Sequence, residues 1–278
     1  MEHTLRDGGR IHHDIDGTGG PWLVLLNGLM MSTASWQPLV EALSRDHRVL
    51  RLDFRDQGRS SHLQTGYRAE QHVADLCELL DHLHIGRAHV LGVSYGGQVA
   101  LSLMRTRPQR VASLVLASIT AQANPYLEAV GAAWKVAARR RDAREFFDLC
   151  MPYVYGPAFY ERAGDWLAQR RELLAGVLDD AWFVAFERLA DSATGFDYAD
   201  VPATIDVPTA LICGTEDSLT PMAEMRCMGA AIRDCRLFEI EGAGHGAVLE
   251  DSAAFTDATL SHLHRVAGAR LDGAHACA

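Results

Sequence analysis

Short apolar runs alternate with stretches of helical periodicity along this chain, which predicts a largely parallel sheet covered by helices on both faces. Residues 11–15 and 22–26 read as strands, and Asp16-Gly17-Thr18-Gly19-Gly20-Pro21 between them reads as a hairpin-type turn. Residues 36–43 predict a helix and 49–54 a strand. Residues 71–83 predict a helix with Val73, Leu76, Leu79 and Leu80 on one face. Further strands fall at His89-Val90-Leu91, at 114–117, at 208–213 and at Cys235–Ile240, with helical stretches at 98–104 and 223–232. Between about Thr120 and Asp200 strand signals vanish and aromatic residues accumulate. That segment predicts a helical cap over 120–200, inserted between core segments 1–119 and 201–278. Most of its rings are expected to pack cap helices against one another, so none is assigned to a site.

The chemistry begins at Gly92-Val93-Ser94-Tyr95-Gly96-Gly97, between a strand and a helix. A serine exposed on so tight a turn has strained backbone angles and needs neighbours without side chains, which Gly92 and Gly96 supply. The helix that follows directs its N-terminal N–H groups at the serine and favours negative charge there. A nucleophilic serine needs a base, and the base needs an acid to orient it. Asp217 is the candidate acid, in the loop after strand 208–213, with the adjacent Glu216 as its rival. His245 is the candidate base, in Gly242-Ala243-Gly244-His245-Gly246 after strand 235–240. One helix and one strand fit between them, which in a parallel sheet brings all three residues to the carboxyl ends of strands.

With these motifs the chain resembles serine hydrolases of the α/β-hydrolase superfamily over nearly its whole length. Leu25-Leu26-Asn27-Gly28-Leu29 and Asp53-Phe54-Arg55-Asp56-Gln57-Gly58-Arg59-Ser60 resemble two of its loops. The resemblance implies an oxyanion hole made by the backbone N–H groups of Leu29 and Tyr95, each able to lower the barrier by roughly 3 kcal/mol. It also implies hydrolysis of an ester or thioester through an acyl-serine intermediate, with no metal or organic cofactor. The chain departs from the superfamily at Asn27, where histidine is common, and at Asp56, where glycine is common. The segment from Asn27 to Trp36 also resembles hydroxyacyl transferases of the same fold, which leaves acyl transfer to an alcohol or thiol as an alternative. Related epoxide hydrolases and dehalogenases carry aspartate where this chain has Ser94. Carbon–carbon bond hydrolysis would use the same triad, and a non-catalytic ligand-binding protein is a further alternative.

Composition narrows the partners. A 278-residue chain with 48% hydrophobic residues is ample for one such domain, and a formal charge of -10 disfavours nucleic acid. No run approaches a membrane span and no apolar leader opens the chain, so a cytoplasmic location is expected. Lys135, Arg139, Arg140, Arg141 and Arg144 form a basic stretch, read as a solvated helix face or as a landing site for an acyl carrier. Cys77, Cys150, Cys213, Cys227, Cys235 and Cys277 lack metal or redox spacing and read as reduced packing residues. His12, His13, His82, His84, His262 and His264 lack partners at ligand spacing and read as surface or core histidines.

Overall fold

The computed structural model describes residues 1–275. Cys277 lies outside them. The described strands are β1 (Glu2–Thr4), β2 (Arg10–Asp16), β3 (Trp22–Leu26), β4 (Arg48–Leu52), β5 (Ala88–Val93), β6 (Val111–Ala117), β7 (Thr209–Gly214) and β8 (Cys235–Ile240). They form one sheet in the order β1-β2-β4-β3-β5-β6-β7-β8, with β1 and β2 antiparallel at one edge and the others parallel. The helices that cover it are α1 (Gln37–Leu43), α2 (Ala69–His82), α3 (Tyr95–Thr106), α9 (Met222–Ala231), α10 (Ala247–Glu250) and α11 (Ser252–His275). Those of the insertion are α4 (Pro125–Arg139), α5 (Ala143–Val154), α6 (Pro157–Arg162), α7 (Gly164–Ala175) and α8 (Asp180–Ser192).

Every residue of β5, β6 and β7 is buried, because helices cover both faces of the sheet centre. Successive side chains alternate between two cores. Val90 packs with Leu50, Leu76 and Val99 on the α2–α3 side, whereas Leu91 packs with Trp36, Leu39 and Phe255 on the α1–α11 side. Strand β8 has a single sheet neighbour and is half-buried.

One predicted pairing is corrected. Strands β2 and β3 do not form a hairpin, because β4 lies between them, antiparallel to β2 (His13 opposite Leu52) and parallel to β3 (Leu23 opposite Val49). The glycines of the intervening turn serve a different contact. Gly17 and Gly20 have φ of 81° and 77°, and a Cβ on either would lie 2.4 Å from His47 O or 2.0 Å from Asp46 O. The turn therefore fits against the segment that leads into β4. That strand also ends at Leu52, two residues early, because the Asp53 carboxylate turns away to accept hydrogen bonds from Thr33 N (2.6 Å) and Arg59 N (2.9 Å).

Between β6 and β7 the chain leaves the sheet for helices α4 to α8. Side-chain caps start three of them, with Asn124 accepting from Leu127 N, Asp142 from Arg144 N and Glu145 N, and Asp179 from Trp182 N. Phe146, Trp182, Phe183 and Phe186 stack edge-on or face-on in its centre. The basic stretch is matched by carboxylates: Lys135 with Asp191, Arg139 and Arg141 with Glu187, Arg140 with Glu145, and Arg144 with Glu172.

Candidate active site

Ser94 sits between β5 and α3 with φ 51° and ψ -115°, the strained turn expected for it. The close approach of three chain segments explains the glycines. A Cβ on Gly92 would stand 2.4 Å from Gly96 O, and one on Gly96 would stand 2.1 Å from Leu26 O. The turn is fixed by hydrogen bonds from Ser94 N to Ala117 O (2.9 Å) and from Gly97 N to Ser94 O (2.8 Å).

His245 Nε2 lies 2.8 Å from Ser94 Oγ, and its Nδ1 lies 3.0 and 3.2 Å from the two Asp217 oxygens. A carboxylate at Nδ1 selects the tautomer with its proton there, leaving the Nε2 lone pair for the serine hydroxyl. Asp217 is buried and also accepts from Leu219 N, Thr220 N and the Thr220 hydroxyl. Burial acts to raise its pKa, but His245 and the Thr220 donors outweigh it and hold the carboxyl below the usual aspartate range. Glu216 is exposed, so the loop turns Asp217 inward and its rival outward.

Leu29 borders the same cavity as Ser94 and His245, and Tyr95 opens α3, where a helix has no internal acceptor for its first N–H groups. Neither of these two N–H groups has a backbone acceptor among the described residues. A network without a local signature in the sequence holds the Leu29 loop. Gln57 Nε2 donates to Gly28 O (2.7 Å) and Leu29 O (3.2 Å), and Asn27 donates to Leu52 O and Gln57 Oε1 while accepting from Trp36 Nε1. The two departures from the superfamily pattern thus have structural uses. Asn27 is a fully buried hinge of this network. Asp56 has φ 68°, the conformation that favours glycine, and its buried carboxylate accepts from Arg188 of α8 at 2.7 Å.

The α5–α6 junction of the insertion and Glu250 of α10 hold the histidine loop. Gly246 N donates to Val154 O (2.7 Å), and Glu250 accepts from both Gly244 N (3.0 Å) and Gly156 N (3.1 Å). Burial pushes the Glu250 pKa up against the pull of these two N–H groups. Glycine at 244 signals this contact only in hindsight, since a Cβ there would stand 2.5 Å from Gly156 N.

His72 Nδ1 lies 3.1 Å from the Tyr95 hydroxyl. His262 is buried in the core and burial pushes its pKa down to about 4. Among the described residues no group of three or more His, Cys, Asp or Glu side chains is placed to share a metal ion. The described cysteines are free, and Cys150 and Cys213 are buried. No described helix is long and apolar enough to cross a membrane.

Comparison with known proteins gives the family and the fold. The profile of the alpha/beta hydrolase family matches residues 23–258. The RutD protein of Stutzerimonas stutzeri, named for carbamate hydrolysis, is 31% identical over 93% of this chain and 98% of its own length. The crystal structure of an alpha/beta hydrolase enzyme from a Medee basin deep-sea metagenome library superposes with a TM-score of 0.91 at 32% identity, covering 95% of this chain and 97% of that one. The enol-lactonase from Burkholderia xenovorans superposes with a TM-score of 0.83 at 29% identity, covering 95% of this chain and 100% of its own.

Proposed function

The chain belongs to the alpha/beta hydrolase family, and we propose that it hydrolyses an acyl ester or thioester through an acyl-serine intermediate. The observation that carries this reading is the unbroken chain from Ser94 Oγ through His245 to the buried Asp217 carboxylate. As Ser94 Oγ attacks the scissile carbonyl, its proton passes to His245 Nε2, and Asp217 stabilises the imidazolium. The N–H groups of Leu29 and Tyr95 take the charge that forms on the carbonyl oxygen. His245 then delivers its proton to the leaving oxygen or sulfur as the bond to the carbonyl carbon breaks. Water, deprotonated by His245, attacks the acyl-serine; the acid leaves and Ser94 regains its proton. Carbamates and enol-lactones, for which two of the relatives are named, also present a carbonyl bonded to a heteroatom.

The test is hydrolysis of p-nitrophenyl esters of graded chain length by the wild type and by Ser94→Ala. Turnover is expected to fall at least about a thousandfold in the variant, with a trapped acyl group on Ser94 of the wild type by mass spectrometry. Retained turnover in the variant sinks the proposal. Added alcohols or thiols are expected to leave free acid as the product; acyl transfer to them would assign the acyltransferase reading instead.

A further inference from the structure

Two cavities meet at the reacting serine. Leu29, Ser94, Trp134 and His245 border both. The larger, about 470 Å³, opens toward α5 and α7 and is lined by Met30, Phe146, Phe147, Met151, Leu174 and Trp182 among others. The smaller, about 90 Å³, lies toward α3, α4 and α8, with Gln98, Ser118, Thr120 and Thr194 among its lining. A carbonyl held at Ser94 therefore sends its two substituents into spaces of very different size.

The smaller cavity carries a second signal. Gln98 is 9% exposed and Trp134 is 7% exposed. Gln98 Oε1 and Trp134 Nε1 are both buried without a hydrogen-bond partner among the described residues. Gln98 lines the smaller cavity and Trp134 lies between the two, and an acceptor and a donor left unmade there are costly unless something bound completes them. A hydroxyl group both donates and accepts, and so can answer either.

We propose, building on the acyl-serine reading above, that this enzyme selects esters with unequal sides: a bulky apolar group for the larger cavity and a short, hydroxyl-bearing group for the smaller. Gln98 and Trp134 are the residues that recognise the hydroxyl.

The experiment compares isosteric esters with the purified protein. One pair is 2-hydroxyethyl octanoate and propyl octanoate; the other reverses the ester as octyl glycolate and octyl propanoate. In one pair kcat/KM is expected to be about tenfold higher for the hydroxyl ester, and octyl octanoate, bulky on both sides, is expected to be the poorest substrate. The preference is expected to fall to near parity in Gln98→Met and in Trp134→Phe, with a fluorophosphonate probe on Ser94 reporting that each variant is folded. Equal rates within both pairs for the wild type overturn the inference and assign the two polar groups to a resident water. Octyl octanoate turned over as well as the others overturns it too, and a preference that survives both substitutions removes Gln98 and Trp134 from the role. Failure of the probe to label wild-type Ser94 is the separate result that sinks the acyl-serine reading itself.

Discussion

Asp217 orients His245 while staying ionised in a buried place, and the second task depends on its other donors. Burial alone would raise its pKa, yet the His245 and Thr220 contacts leave it depressed. A depressed folded value means that its contribution is complete above the ordinary aspartate pKa of about 3.9 and is lost only as pH falls through the lower folded value. Asn at this position offers an N–H to Nδ1 in place of an acceptor, which selects the wrong tautomer. Asp217→Asn is expected to lower kcat about 10³- to 10⁴-fold, whereas Glu216→Gln, on an exposed side chain, is expected to stay within about twofold of the wild type. Steady-state kinetics on both variants decides between them, and a larger loss at 216 would reverse the assignment. Ser94 and His245 were legible in the sequence because the glycines around them report local steric demands. The choice between Asp217 and Glu216 was not, since adjacent residues differ only in where the loop points them. Gln57 and Asn27 carried no signal either, because their contact joins positions 30 apart in the chain.

At the level of elements, the buried central strands and their following loops were readable from apolar runs ended by glycine. Pairing was not. The turn between β2 and β3 contained every local hairpin feature, but partner choice is non-local, and β4 took the place between them. The link between α10 and the α5–α6 junction is another non-local feature, and its chemistry makes it testable. Ionised Glu250 accepts one N–H from the histidine loop and one from the cap with its two oxygens. Glu250→Gln turns one acceptor into an NH2 facing a backbone N–H, so that one of the two attachments is lost. An approximately tenfold fall in kcat is expected, from a His245 loop held less tightly against Ser94. The raised pKa gives the sign of a second effect. Between the unfolded glutamate value of about 4.3 and the higher folded value, the native protein binds more protons than the unfolded chain, so wild-type stability falls as pH rises through that window. The glutamine variant lacks this step. Melting temperatures measured from pH 4 to 7 should therefore shift in favour of Glu250→Gln as pH rises. A difference independent of pH, together with unchanged kcat, would show that Glu250 positions nothing.

For the molecule as a whole, the order of strands and helices already implied a sheet core interrupted by a helical insertion. What joins the insertion to the core was invisible, because the partners lie far apart in the chain, as Gly156 and Glu250 do at 94 positions. Asp56 and Arg188, 132 positions apart, form one such joint, and its two ends are not equivalent. The Asp56 side chain is completely buried, whereas that of Arg188 is 20% exposed. Removing the cation leaves a buried carboxylate whose remaining partners are the Leu63 N–H (3.1 Å) and His62 Nδ1 (3.3 Å), with the Tyr67 hydroxyl nearby and no compensating arginine, a loss toward the low end of that measured for broken buried pairs, about 3 kcal/mol. Removing the carboxylate leaves an arginine that can swing its head into solvent, and glycine at 56 also relieves the left-handed φ of 68° by about 1 kcal/mol. Arg188→Met is therefore expected to destabilise the protein by about 3 kcal/mol and Asp56→Gly by less than half as much. The double variant is expected to lie close to Asp56→Gly alone, since the cost of the arginine change comes from the buried carboxylate that loses its cation. Urea unfolding of the three variants measures all of these differences. If Asp56→Gly costs as much as Arg188→Met, the joint is held by contacts other than this ion pair, and the aspartate found where relatives of this fold commonly have glycine is not what fastens cap to core.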